Sequence, residues 1–222
     1  MNATQEMPRQ VNELAACKGP RHGGMRSQFG HPRGMLGALV GHLMARKNAY
    51  MHDLAVDLLE VQPADHVLEI GFGHGRAIQL IAAKAINGHV VGIDHSETMV
   101  RQAHRRNEAA IRAGRVELRQ GSVSSLPWDD GQFTKALDIN CFHHWPNQAE
   151  DLLEVRRVLK PGGLLLLCLR MKHPSKTKFV APGYTPQGIE DAIATVRTAD
   201  FADVRREFFQ LDRGVTCLFA RT

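Results

Sequence analysis

The sequence predicts an α/β fold: a doubly wound sheet of seven strands, mostly parallel, with a C-terminal antiparallel hairpin and helices on both faces. Three observations predict it. From residue 63 onward, strand-like apolar runs alternate with amphipathic helical segments. The run Leu164–Leu169 is apolar without a break, the pattern of a strand covered on both faces. Two final strand candidates, 204–211 and 215–221, are separated by only three residues, too few for a helical crossover, so they should pair antiparallel.

Each element follows from the chain in order. Residues 1–34 are rich in Gly, Pro, Arg and Gln and lack apolar periodicity, which predicts a flexible N-terminal arm. Leu36, Leu39, Val40 and Leu43 recur at helical spacing, as do Met51, Leu54, Ala55, Leu58 and Leu59. These predict an N-terminal helical cap over 35–62, closed by Pro63, ahead of a core domain over 63–222. The first strand is 66–70, with a helix over 75–86. The second is 89–94, with a helix from Glu97 to near Gly114. A third strand over 116–120 and a fourth over 136–140 follow. A helix over 147–159 presents Leu152, Val155 and Leu159 on one face, with Asn147 placed to cap it. Pro161-Gly162-Gly163 should end that helix before the fifth strand. A polar loop over 172–186 and a helix over 187–199 lead into the hairpin.

Composition narrows the function classes. Of 222 residues, 43% are hydrophobic and 23% charged, the balance of a soluble globular protein. No apolar run approaches the roughly 20 residues needed to span a bilayer, and no signal-peptide core is visible, so no membrane span and a cytoplasmic location are expected. Cys17, Cys141, Cys168 and Cys217 are scattered without a CxxC pair, which argues against a zinc site or a disulfide framework. The last three fall in strand-like segments and read as small buried hydrophobes. The net charge of +5 raises nucleic acid as a partner. Its densest source, Arg101, His104, Arg105, Arg106 and Arg112, lies on one helix whose buried side is Val100, Ala103, Ala110 and Ile111. That is the pattern of a solvated face, and no aromatic residues interleave to stack bases. Nucleic acid is therefore not expected as a partner.

The chemistry is concentrated in Val67-Leu68-Glu69-Ile70-Gly71-Phe72-Gly73-His74-Gly75. An apolar strand runs into three alternating glycines, and a helix begins at once. Such a turn lets a ligand lie against bare backbone at a helix N-terminus. Asp94 closes the second strand, where an acid can accept hydrogen bonds from the ribose hydroxyls of an adenosine. The dinucleotide fingerprint G-x-G-x-x-G/A requires a small residue at position 76, and Arg76 stands there. Glu69, two residues before Gly71, would repel a pyrophosphate but suits a ligand carrying an ammonium group. S-adenosylmethionine carries one, so the chemistry favours it over NAD.

With these residues in view, the chain over about 50–222 resembles the class I S-adenosylmethionine-dependent methyltransferases, whose sheet is Rossmann-like. Within them it is similar to the small-molecule group that includes the quinone-biosynthesis C-methyltransferases. The glycine segment, Val91-Gly92-Ile93-Asp94, Asn140-Cys141-Phe142-His143-His144-Trp145 and Leu159-Lys160-Pro161-Gly162-Gly163 carry the resemblance. It implies that Glu69 holds the methionine ammonium and that Gly71, Phe72, Gly73 and Gly75 form the turn beneath the methionine and ribose. Asp94 would take the ribose hydroxyls, with His95 and Met99 walling the adenine. Gly121-Ser122-Val123 would form the adenine-edge loop, with Ser122 where the family often has an acid. Asn140 would face the methionine portion near the methyl group. His143 and His144 are the candidates for a catalytic general base.

The expected partner is a small-molecule methyl acceptor, and a homodimer stays open. Acceptor-site candidates are His42, Met44, Asn48 and Tyr50, the turn after the fourth strand, and the 172–186 loop with Tyr184. Residues 26–32 are a candidate lid. The competing readings are an NAD-dependent oxidoreductase, a nucleic-acid methyltransferase, and a cofactor-binding protein without turnover.

Overall fold

A computed structural model of the chain describes residues 49–172, 183–212 and 214–222. The expected arm, the first cap helix, the lid over 26–32 and Cys17 lie outside the described residues, as do His42, Met44 and Asn48.

The described chain opens with α1 (Ala49–Leu58). Two strand–helix units follow, β1 (His66–Ile70) with α2 (Arg76–Lys84) and β2 (His89–Asp94) with α3 (Glu97–Arg112), and then β3 (Val116–Gln120). Then come β4 (Phe133–Ile139), a 3-10 turn over Phe142–His144, α4 (Gln148–Val158), β5 (Leu159–Arg170), α5 (Pro186–Thr198), β6 (Ala202–Phe209) and β7 (Val215–Arg221). The sheet order is β3-β2-β1-β4-β5-β7-β6. β1 to β5 run parallel, and β7 lies antiparallel between β5 and β6. The seven-stranded, mostly parallel sheet and its terminal hairpin thus match the sequence reading.

Successive residues of a strand point to opposite faces, and here both faces are covered. Leu166 packs with Val67, Phe72, Leu137 and the apolar residues of α1 and α2. Leu165 and Leu167 pack in the other layer with Leu152 and Val155 of α4 and Ile189 and Val196 of α5. That is why the run over 164–169 has no polar alternation. Across the antiparallel pair, Cys168 faces Cys217, their buried sulfurs 3.2 Å apart. Cys141, by contrast, sits in the turn after β4 rather than in a strand.

Three local expectations give way to tertiary context. Pro161-Gly162-Gly163 lies inside β5, which leaves α4 directly at Leu159. The chain terminus pairs with this segment: Gly162 N donates to Thr222 O at 3.2 Å, and Gly163 N to Thr222 Oγ1 at 3.1 Å. Those partners outweigh the local turn signal. The Asn147 side chain makes no cap bond. Asp151, almost fully buried, turns its carboxylate back to accept from Asn147 N at 3.0 Å, satisfying the helix start from within. The fourth strand is longer at its start than predicted and ends at Ile139, leaving Asn140 beyond it with φ +56°.

The topology positions a site. From β1 the chain winds outward through β2 and β3 on one side, and through β4 and β5 on the other. Crossovers leaving in opposite directions open a crevice at the carboxyl ends of β1 and β4, where doubly wound sheets bind ligands.

Candidate functional site

The glycine turn fills one side of that crevice. Gly71, at φ +71°, donates its amide to Ile93 O at 2.8 Å, and a Cβ there would lie 2.3 Å from Cys141 Sγ. Gly75, at φ +77°, starts α2, and a Cβ there would come within 2.7 Å of Ala103 Cβ and Asn107 Nδ2. Only glycine fits these two positions. Gly73 differs, because a Cβ there would meet nothing within 4 Å, so its outer side is open. α3 fastens the turn from behind. Asn107 Nδ2 donates to Gly75 O at 3.0 Å, and Arg106 Nε to His74 O at 3.0 Å. The rest of the basic helix face behaves as expected, with Arg101 paired to Glu97 at 2.6 Å and Arg112 to Glu108 at 2.7 Å.

Asp94 organises the loop as well as facing the crevice. Its carboxylate is 6% exposed, with Oδ2 accepting from Gly73 N and Oδ1 from Ser96 N, both at 2.8 Å. Each oxygen keeps a second lone pair for a ligand. Beside it lies a cavity of about 210 Å³, lined on one side by Ile70, Gly71, Ile93, Asp94 and His95. Gly121, Ser122 and Val123 supply the next wall, and Cys141, His144, Trp145 and Pro146 the third. The Ser122 hydroxyl is engaged by Ser124, accepting from its backbone N at 3.2 Å.

Not every sequence candidate reaches this wall. The Phe72 ring goes into the core beneath Gly92, whose added Cβ would touch it at 2.5 Å, so Phe72 offers the crevice only its backbone. Met99 is buried in the first turn of α3, outside the cavity lining. Asn140 braces β5: its N donates to Cys168 O at 2.8 Å, and its Oδ1 accepts from Arg170 N at 3.3 Å.

Two buried carboxylates flank the crevice. Glu69 is 1% exposed, and its Oε2 has no hydrogen-bond partner. Burial, then the charges of Asp94 and Asp138, push its carboxyl well above the usual range, against a bond from Ile78 N. Asp138, fully buried in β4, was not singled out in the sequence, although an acid within Ala136–Ile139 was the available signal. Its Oδ1 accepts from Cys141 N at 3.0 Å and its Oδ2 from Trp145 Nε1 at 3.1 Å, fixing the turn after β4. Burial raises its pKa from 3.8 to about 7. A raised carboxyl stabilises the fold fully below the unfolded value, and that stability is lost as pH rises through the folded one. Wild type should therefore lose stability relative to Asp138→Asn between pH 4 and 7, read from urea unfolding midpoints.

These groups suit a ligand with an adenosine and an ammonium: a carboxylate orphan, an open backbone cradle and an acid with free lone pairs. A family model described as a methyltransferase domain matches residues 67–163, from β1 into β5. Residues 67–163 form a methyltransferase domain. It is 28% identical over 174 residues to an uncharacterized methyltransferase of Bacillus subtilis, covering 77% of this chain and 90% of that one. It is 32% identical over 124 residues to the demethylmenaquinone methyltransferase of Symbiobacterium thermophilum, covering 55% of this chain and 49% of the relative. With 24-methylenesterol C-methyltransferase 2 of Arabidopsis thaliana it shares 35% over 112 residues, or 50% of this chain and 31% of the relative. The chain thus spans half or less of the latter two. Among solved structures, a SAM-dependent methyltransferase from Aquifex aeolicus superposes with a TM-score of 0.62 at 18% identity, covering 77% of this chain and 88% of that one. The [4+2]-cyclase SpnF reaches 0.64 at 19% identity, over 86% of this chain and 83% of that one. Both show the shared fold alone.

Histidines also gather near Arg170 at the end of β5, outside the cavity lining. His143 is half-buried, its ring 3.9 Å from that of His144, and burial, His144 and Arg170 push its pKa down to about 4. Arg170, nearly buried at the end of β5, places its guanidinium 3.3 Å from Met51 Sδ of α1. His52, also missed in the sequence, lies 5.5 Å from the His74 ring, and burial and then His74 lower its pKa to about 3. Tyr50 donates to Asp212 Oδ2 at 3.4 Å. Among the described residues, no cluster of His, Cys, Asp or Glu could hold a metal, and no helix is long and apolar enough to cross a membrane. A wider groove of about 830 Å³ lies at the amino ends of β4 and β5, away from the glycine turn. Its Lys135 is engaged by Asp65 at 2.9 Å.

Proposed function

We propose that this methyltransferase transfers a methyl group from S-adenosylmethionine to a small organic acceptor by in-line displacement. The observation that carries the reading is the unpartnered, buried Glu69 Oε2 beside the glycine turn. An orphaned carboxylate oxygen in that place is matched by an ammonium group, which a nicotinamide dinucleotide lacks there. Gly71 and Gly73 would pass under the methionine and ribose, and Gly75 would hold the turn. Asp94 would accept from the ribose hydroxyls. His95, Gly121, Ser122 and Val123 would surround the adenine, and Asn140 would keep the neighbouring strand end in place.

When bound, S-adenosylmethionine supplies a methyl group on a sulfonium whose leaving group is a neutral thioether. The protein's part is then to align the acceptor and exclude water, which can supply on the order of 7–11 kcal/mol of the barrier. Trp145 and Cys141 supply apolar wall. Of the two histidines, His144 lines the cavity and suits a general base, whereas the lowered pKa of His143 makes it a weak one. Residues 35–62 would contribute an acceptor-side cap, and a cytoplasmic site of action belongs to the same proposal.

Titration with S-adenosylhomocysteine, which retains the ammonium, tests the reading. Pairing with an ammonium lowers the raised Glu69 pKa, so binding should release a proton and tighten as pH rises from acid toward neutral. Calorimetry in two buffers of different ionisation enthalpy measures that proton, and Glu69→Gln should abolish its release. Binding of NADH in place of S-adenosylhomocysteine would overturn the assignment.

A further inference from the structure

Two buried polar atoms have no partner at hydrogen-bond distance: His143 Nδ1 and the Tyr184 hydroxyl. They come from different segments. His143 belongs to the 3-10 turn after β4, and Tyr184 to the chain before α5. Their rings meet edge-on, with centroids 6.0 Å apart at 82°. Tyr184 is latched to the end of β5, since its N donates to Arg170 O and its O accepts from Lys172 N, both at 2.8 Å. Its hydroxyl points inward, beside the Gln148 side chain and within electrostatic reach of Asp138 and Cys141 at the end of β4. The Gln148 amide is itself engaged by Phe142 O at 2.9 Å. His143 in turn stacks against His144, which lines the donor cavity. An unpaired buried polar group is costly, so two on adjoining rings call for a ligand that completes them.

We propose that Tyr184 and His143 form a neutral hydrogen-bonding pair that positions the methyl acceptor by an oxygen atom. The inference rests on the methyltransferase reading and adds to it the class of acceptor. Burial and Asp138 hold the Tyr184 phenol protonated, so it serves as a donor. His143 stays neutral above a pH of about 4, so one ring nitrogen donates and the other accepts. A hydroxyl or carbonyl oxygen accepts from Tyr184, and a hydroxyl can also donate to His143. A protonated amine finds no such match, because the Arg170 guanidinium makes the surroundings of His143 positive. His143 is thus a positioning residue, distinct from the base role of His144.

The chain has two tyrosines, Tyr50 and Tyr184, so 3-fluorotyrosine labelling yields two fluorine resonances, assignable with Tyr50→Phe. Calorimetry with S-adenosylhomocysteine first establishes the donor complex. Phenol, benzylamine and toluene are then titrated into that complex. Phenol should shift the Tyr184 resonance saturably, at concentrations about tenfold or more below the other two, as one hydrogen bond to a buried group implies. The Tyr50 resonance should not move. Tyr184→Phe keeps the ring and should weaken phenol binding by about tenfold while leaving S-adenosylhomocysteine affinity unchanged. An equal response to toluene or benzylamine, no response to any probe, or full phenol affinity in Tyr184→Phe overturns the pair while the donor reading stands. Failure to bind S-adenosylhomocysteine overturns the donor reading and the pair together.

Discussion

Gly71→Ala should cost the fold about 2–5 kcal/mol and remove measurable binding of S-adenosylhomocysteine. Two independent effects add. An L-residue held at φ +71° pays the left-handed penalty of about 1–2 kcal/mol. The new methyl would also sit 2.3 Å from Cys141 Sγ and 2.8 Å from its Cβ, an overlap that costs about 1–3 kcal/mol to relieve. Relief means moving either the glycine turn or the turn after β4, and the candidate cavity lies between them. Set against a typical total stability of about 5–15 kcal/mol, the loss is large. Urea unfolding and calorimetry measure the two parts. The double variant Gly71→Ala/Cys141→Ala should recover only the share owed to sulfur, because the Cβ contact and the backbone strain persist. Wild-type stability in Gly71→Ala would show that the turn after β4 yields freely.

Asp94→Ala should weaken S-adenosylhomocysteine binding by about 1–3 kcal/mol, roughly five- to 150-fold. It should also destabilise the protein without ligand. The carboxylate holds Gly73 N and Ser96 N, each at 2.8 Å, and its removal leaves both amides without their acceptor, at about 1–3 kcal/mol for each that water does not reach. Asp94→Asn keeps one side-chain oxygen, so it should lose less of both. Affinity is read by calorimetry and stability by urea unfolding. Unchanged affinity in Asp94→Ala would remove the residue from the site.

How much of this was legible in the sequence depends on the range of the forces involved. The order of strands and helices was written in periodicity, because burial on one or two faces acts directly on neighbouring residues. The glycine turn and Asp94 were legible because their spacing along the chain reflects one local βαβ unit. Asp138 and Arg170 were not, since a charged residue in an apolar strand acquires meaning only from what β1, α1 and the 3-10 turn bring against it. Asn140 and Met99 show the same limit in reverse. Each stands in the expected motif, yet the side chain of one bonds to the backbone of β5 and that of the other packs outside the cavity. Pro161-Gly162-Gly163 was misread because its partner, Thr222, lies at the far end of the chain.

The two side chains reaching from α3 to the carbonyls of His74 and Gly75 give the candidate site a property that its own lining does not explain. A glycine-rich loop left to itself would sample many shapes, and a ligand would have to freeze one of them at the expense of its own affinity. Here the shape is set before any ligand arrives, from a helix that contributes no wall to the cavity. The candidate pocket is therefore preorganised from outside. Its selectivity resides as much in the hidden lacing behind the loop as in the atoms a ligand touches.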